Sequence, residues 1–171
     1  REGRLHYMAV LDDYANMSMA AITLYEYTGE QVYIDQAIEW VSQADDEYWD
    51  SENGGYFLTS NNATDVITRS KTVMDNATPS GNGTMMNVLA RLYILTGDPL
   101  YRDRADAMDR IFSTSEIDKL VGQTVMLCGF ELLVQATQIV IVGNKEDPET
   151  KALMRTIHDA SVPAKILLCL N

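Results

Sequence analysis

A chain of 171 residues, 46% of them hydrophobic, can bury one sizeable core. Its 25 acidic residues against 13 basic give a formal charge of −12, which repels nucleic acid and anionic membrane surfaces, so neither is expected as a partner. No apolar run approaches the roughly 20 residues of a membrane helix and no basic-plus-apolar leader opens the sequence, so a soluble, cytoplasmic protein is expected.

Apolar residues run almost all the way round the first helix expected, Asp12 to Thr28, so most of its sides should be buried. Gly29 ends it. Gln31 to Trp49 carries a narrower stripe, Ile34, Ala37, Ile38, Val41 and Tyr48, with acids and glutamines elsewhere, and reads as a helix with one wet face. Asn53-Gly54-Gly55 breaks the chain, after which Tyr56 to Thr59 and Val66 to Thr68 read as the arms of a short β-hairpin.

Lys71 to Gly83 concentrates loop chemistry. Pro79 biases Thr78 away from helical geometry, and Asn76, Thr78, Ser80 and Asn82 can all cap or turn. An apolar helix from Thr84 to Thr96 follows directly, ended by Gly97, and Pro99 opens an amphipathic helix reaching Phe112. A loop at such a helix start either caps the helix or holds a hydroxyl-rich or anionic ligand on its free amides.

Leu24-Tyr25-x-x-Thr28-Gly29-x-x-x-Tyr33-x-Asp35-x-Ala37 matches Leu92-Tyr93-x-x-Thr96-Gly97-x-x-x-Tyr101-x-Asp103-x-Ala105 at a constant offset of 92 − 24 = 68 residues. Repeated helical hairpins stack so that each buries what its neighbour exposes. All-round apolar first helices and one-sided second helices imply an inner and an outer tier. Val121 to Gln135 supplies a third heavily apolar helix, in which Glu131 is a lone carboxylate needing a partner or water. Residues 138–171 form a separate small unit: strand Gln138 to Gly143, helix Asp147 to Ala160 and strand Lys165 to Leu170, a β-α-β unit with parallel strands. No Gly-x-Gly-x-x-Gly follows the first strand, so no nucleotide site is expected.

Several motifs in order, Leu11-Asp12-Asp13-Tyr14-Ala15, Tyr48-Trp49-Asp50 with Gly54-Gly55-Tyr56-Phe57, Arg69-x-Lys71, Asp75-x-Ala77-x-Pro79-Ser80-Gly81-Asn82 and Ile139 to Gly143, resemble the C-terminal half of the spermatogenesis-associated, thioredoxin-domain-containing proteins. The resemblance spans most of the chain. It implies a helical toroid similar to the six-hairpin glycosidases and N-acylglucosamine epimerases, preceded in a longer polypeptide by a thioredoxin-like domain. The sequence starts at Arg1 and stops after an apolar run, which fits a part of such a chain. It departs from the whole family pattern in two ways: there is no Cys-x-x-Cys, so no redox role is carried over, and only about half the hairpins of a closed ring are present. Cys128 and Cys169, far apart in apolar surroundings, are expected to be buried thiols.

The fold expected is therefore mainly α: a partial α/α toroid over residues 1–137 with a short β-hairpin and a C-terminal β-α-β appendage. Such a toroid gathers the polar starts of its inner helices at one mouth. There Asp12, Asp13 and Asp75 are the candidate acid and base on a sugar, with Trp49 and Tyr56 stacking on its apolar face. Tyr14, Asn76, Ser80, Asn82 and Glu131 are further candidate substrate contacts, and Arg69 and Lys71 suit an acidic substituent or simply neutralise nearby aspartates. Capping and the helix dipole explain aspartates at a helix start equally well. His6 and His158 are too isolated for a metal site, and no cofactor is expected. Two functions follow: binding or turnover of a carbohydrate derivative, or a scaffold docking the thioredoxin-like domain or another protein.

Overall fold

The computed structural model describes residues 8–64, 66–113 and 120–170, so His6 lies outside the described residues. In chain order the elements are α1 (Leu11–Thr28), α2 (Gln31–Tyr48), α3 (Gly81–Thr96), α4 (Pro99–Phe112), α5 (Thr124–Gln135), β1 (Thr137–Val142), α6 (Pro148–Asp159) and β2 (Lys165–Leu170). The protein is mainly α-helical with one two-stranded parallel sheet.

The repeat sets the first four helices. Gly29 and Gly97 take left-handed φ values of 68° and 74° and donate their amides to Tyr25 and Tyr93, which closes α1 and α3 and turns the chain within two residues. Asp98 then caps α4 by accepting from the Leu100 amide, with Pro99 in the first turn. Two antiparallel hairpins result, α1 with α2 and α3 with α4.

At the centre lies α3, packed between α1 and α5. Every residue from Gly81 to Ala90 is buried, as an all-round apolar sequence requires. Two elements expected to be equally enclosed are not. α1 buries Leu11, Ala15, Ala21 and Ile22 but leaves Met17, Leu24 and Tyr27 exposed, and α5 leaves Leu127, Cys128 and Val134 in solvent. α1 packs on α2 and α3, and α5 on α3, but neither has a further helix packed as closely on its remaining flank among the described residues, so one apolar stripe on each stays bare. Cys128 is thus an exposed thiol, whereas Cys169 is buried as expected.

α3 begins at Gly81, three residues before the expected start. The glycines that mimic a loop in the sequence form its first turn, and they are small because neighbours approach closely: a Cβ on Gly81 would lie 2.4 Å from Oδ1 of Asp12. The expected hairpin after Gly55 is reduced to isolated pairings, Trp49 with Tyr56 and Val10 with Thr59. Its arms meet through the Leu58 amide and the Ser70 carbonyl rather than through Val66 to Thr68.

β1 and β2 pair in parallel from Thr137 with Lys165 to Val142 with Leu170, connected through α6, in agreement with the β-α-β reading. Ile141, Met154, Leu167 and Cys169 form its small core. Ile166 packs with Ala90 of α3 and Leu132 of α5, which fastens the unit to the helices.

Gly129 tests the α3–α5 contact. A Cβ there would lie 2.5 Å from Met86 Cγ and 2.9 Å from the Asn87 backbone nitrogen, and the latter cannot yield without separating the helices. Gly129→Ala is expected to lower stability by about 1–3 kcal/mol despite its gain in helix propensity, measured as a reduced urea midpoint at unchanged slope.

Candidate functional site

The polar residues singled out in the sequence meet around the N-terminus of α3. A buried helix start needs partners for its free amides, and the loop supplies them. Ser80 accepts from the Gly83 amide at 3.1 Å. Asp75 accepts the Ser80 amide on Oδ1 at 3.0 Å and the Val125 amide on Oδ2 at 2.9 Å, so one carboxylate joins the starts of α3 and α5. The Asp75 amide in turn donates to the Gly122 carbonyl at 2.6 Å. The Ser80 hydroxyl lies 3.0 Å from the Val73 carbonyl and 3.1 Å from Asp75 Oδ1.

Asn82 is buried in the first turn of α3, where its side chain substitutes for a neighbouring strand. Its carbonyl accepts from the Tyr56 amide and its amide donates to the carbonyls of Tyr56 and Thr72, each at 2.9 Å. Beneath it, Tyr56 is fully buried, meets Trp49 edge-on at 4.9 Å and donates its hydroxyl to Asp45 at 2.6 Å. The Arg104 guanidinium covers Trp49 at 4.3 Å while pairing with Asp45. Trp49 and Tyr56 therefore stack on protein groups.

Both cations of the loop are bound to backbone. Arg69 donates to the carbonyls of Thr59 and Glu47 over the Phe57 ring. Lys71 donates to Asp50 at 2.6 Å and to the Gly54 carbonyl at 2.9 Å. The Lys71 ammonium holds the Asp50 carboxyl far below the usual carboxylate range.

Asp12 sits against Gly81 at the same end of the molecule, so the α1 and α3 entrances share one rim as their repeat positions require. Burial, with repulsion from Asp13, raises the Asp12 carboxyl above its ordinary value, partly offset by a bond from the Gly81 amide. Asp13 accepts from the Val10 amide at 2.9 Å. Tyr14 packs on Tyr48, whose hydroxyl donates to the Ala9 carbonyl and is pushed up to about 12, chiefly by burial. Two candidates stand apart: Asn76 is exposed on the loop, and Glu131 is exposed on α5, bonded to Gln135 rather than enclosed in the core.

A groove of about 310 Å³ opens beside this rim between α1 and α2, lined by Asp13, Tyr14, Met17, Trp40 and Gln43. Trp40 and Gln43 were not among the sequence candidates; their signal is the i, i+4, i+7 spacing of Gln36, Trp40 and Gln43 along one side of α2, outside its main apolar stripe. A second cavity, about 350 Å³, lies between the end of α1 and α6 beside Lys145, Arg155 and His158. The His158 imidazole is lowered by burial and by Lys165. Among the described residues no three His, Cys, Asp or Glu side chains form a metal-binding group.

Over 160 residues, 92% of its length, the chain is 32% identical to spermatogenesis-associated protein 20 of Rattus norvegicus, 31% to that of Mus musculus and 30% to that of Homo sapiens. The chain belongs to the spermatogenesis-associated protein 20 family. It spans 20% of the length of these relatives. An uncharacterized protein of Caenorhabditis elegans matches at 29% identity with 21% of its length covered. No family model matches the chain. Among the described residues no helix is long and apolar enough to cross a membrane.

Two substitutions test what holds this member of the family together at its rim. Asn82→Ala leaves three backbone groups without partners and is expected to cost about 3 kcal/mol in chemical denaturation. Because the Asp50 carboxyl is depressed in the fold, its pairing stabilises fully above the ordinary carboxylate value near pH 4 and is lost as pH falls toward the folded value. Lys71→Met is therefore expected to lower stability by roughly 2 kcal/mol at neutral pH and to flatten its decline below about pH 4, read from denaturation midpoints across pH.

Proposed function

We propose that this chain acts as a scaffold: a segment of a larger helical toroid whose hairpins hold the rest of a family protein, the thioredoxin-like domain implied by the sequence resemblance included. The carrying observation is that Asp75, Asn82, Arg69 and Lys71, the polar residues best suited to hold a ligand, are bonded to the protein's own groups, backbone amides and carbonyls together with the Asp50 carboxylate and the Ser80 hydroxyl. A ligand there would have to displace bonds that close buried helix ends, at about 1–3 kcal/mol for each group left unpaired. In this reading residues 138–171 are an extension docked on the array, and a cytoplasmic location suits the exposed thiol of Cys128.

A second reading, binding of a carbohydrate derivative, rests on the groove beside the rim. Asp13 and Gln43 supply hydrogen-bonding groups, and Trp40 and Tyr14 supply aromatic surface. Asp12 adds a carboxyl whose raised value suits a proton donor, though it bonds to the Gly81 amide.

Thermal-shift screening of neutral sugars and sugar phosphates against the full-length protein separates the two. The scaffold reading expects no shift, and a shift abolished by Trp40→Ala or Asp13→Asn would overturn it. It also expects Asp12→Asn to leave the melting temperature near pH 7 unchanged or raised. The sign follows from the raised carboxyl: the ionised form is disfavoured in the fold, so stability falls as pH rises through its range, and a neutral amide avoids that loss.

A further inference from the structure

Several cations of this acidic chain are consumed within the fold. Arg69, Lys71, Arg91, Arg102 and Arg104 bond to carboxylates or carbonyls, and Lys165 donates to three carbonyls at the end of α6. Arg155 does not follow them. Among the described residues its guanidinium has no hydrogen bond or ion pair, and it lines the cavity of about 350 Å³ between the end of α1 and α6. Lys151, Met154, Arg155 and His158 follow at i, i+3, i+4 and i+7, so one face of α6 forms a wall of that cavity. Tyr27, Glu30 and Lys145 also line it.

Packing accounts for part of the lining. Lys145 donates to the Gly29 carbonyl, where the C-terminal end of α1 attracts a cation. Lys151 pairs with Glu146 at 2.7 Å, largely in solvent. His158 sets its ring against Tyr27 at a centroid distance of 4.8 Å and keeps a buried Nε2 without a partner among the described residues. Burial and Lys165 lower this imidazole, so it is uncharged at neutral pH and presents ring surface. The lining thus holds three positive charges, Lys145, Lys151 and Arg155, against the two carboxylates of Glu30 and Glu146. One positive charge is in excess, and Arg155 has its donors free.

We propose that this cavity binds a small organic monocarboxylate, with its carboxylate on Arg155 and its apolar body against Tyr27, Met154 and His158. The planar guanidinium fork matches a carboxylate with two parallel bonds. The volume lies at the lower end of small-molecule sites, which suits a compact ligand. A single excess charge selects a monoanion: the second charge of a phosphate or a dicarboxylate meets Glu30 and Glu146 with no further cation to offset it. Glu30 makes no ion pair with Arg155, so no side chain of the cavity already occupies that fork. Tyr27 and Glu30 belong to the helical array and α6 to the C-terminal unit, so the ligand bridges the two. The site is independent of the scaffold reading, which concerns the start of α3.

Titration calorimetry of the full-length protein with phenylacetate as the probe tests the proposal, with succinate and inorganic phosphate as comparators. Phenylacetate is expected to bind saturably, more tightly than either comparator. Arg155→Gln is expected to weaken it about tenfold or more at an unchanged melting temperature, since that side chain holds nothing in the fold. Glu30→Gln, which removes a competing carboxylate, is expected to tighten it by up to about fivefold. Trp40→Ala, in the separate groove beside Asp13, is expected to leave it unchanged. The proposal fails if phenylacetate does not bind, if Arg155→Gln binds it as tightly as the unaltered protein, if Glu30→Gln weakens it, if Trp40→Ala abolishes it, or if phosphate or succinate binds more tightly. The scaffold reading fails by a different signal, a sugar-dependent thermal shift that Trp40→Ala removes.

Discussion

Burying the N-terminus of α3 is the constraint on which the rest depends. A helix start carries amides without intrahelical partners, and placing one among other helices is costly unless each finds an acceptor. Here Ser80 caps from within the chain and Asp75 holds the Ser80 amide while reaching across to α5. Asn82 does the reciprocal work for the extended segment, completing the backbone of Tyr56 and Thr72 from a position inside the helix. With these bonds in place α3 can be covered from both flanks, and only then can α1 and α5 use it as a common wall.

The cations follow the same logic. In a strongly acidic chain, exposed ion pairs contribute little because water and salt screen them. Lys71 and Arg69 lie instead in half-buried positions where each donates to a loop carbonyl, Gly54 and Thr59 respectively, and Arg69 also to Glu47 at the end of α2, with Phe57 under both charges. Asp50 is thereby held ionised beside the turn at Gly54, linking the end of α2 to the segment that leads into α3. The loop between the hairpins is ordered by polar contacts, as its few apolar residues require.

What the sequence made legible follows from periodicity. The 68-residue repeat, the closing glycines and the apolar spacing located the helices and their hairpin pairing, and the run from Gln138 located a parallel β-α-β unit, because these signals are local. Burial was less legible. α1 and α3 look equally apolar along their lengths, yet only α3 is enclosed, because enclosure depends on neighbours and not on the helix itself. The start of α3 was obscured for a related reason: Gly81 and Gly83 read as loop residues, whereas they are small to admit Asp12 and the end of α5. Asp75, Ser80 and Asn82 were correctly located together, but spacing cannot tell a side chain that holds its own backbone from one that waits for a ligand. Trp40 escaped notice because it flanks the main stripe of α2.

The asymmetry of the repeat connects fold to function. In a stacked array the interior units are satisfied by their neighbours, and free energy not yet realised resides at the ends, where apolar stripes face water. α1 bears such a stripe with Met17 and Leu24, and α5 bears another with Leu127 and Val134. An enzyme site would be expected to concentrate unsatisfied polar groups in a cavity, but here the strongest hydrogen-bonding residues are consumed in the joint between hairpins. Among the described residues, the apolar surface left bare lies on the faces of the outermost helices. On the proposed scaffold reading, the joint at the start of α3 is architectural, since its polar side chains are already bonded within the protein.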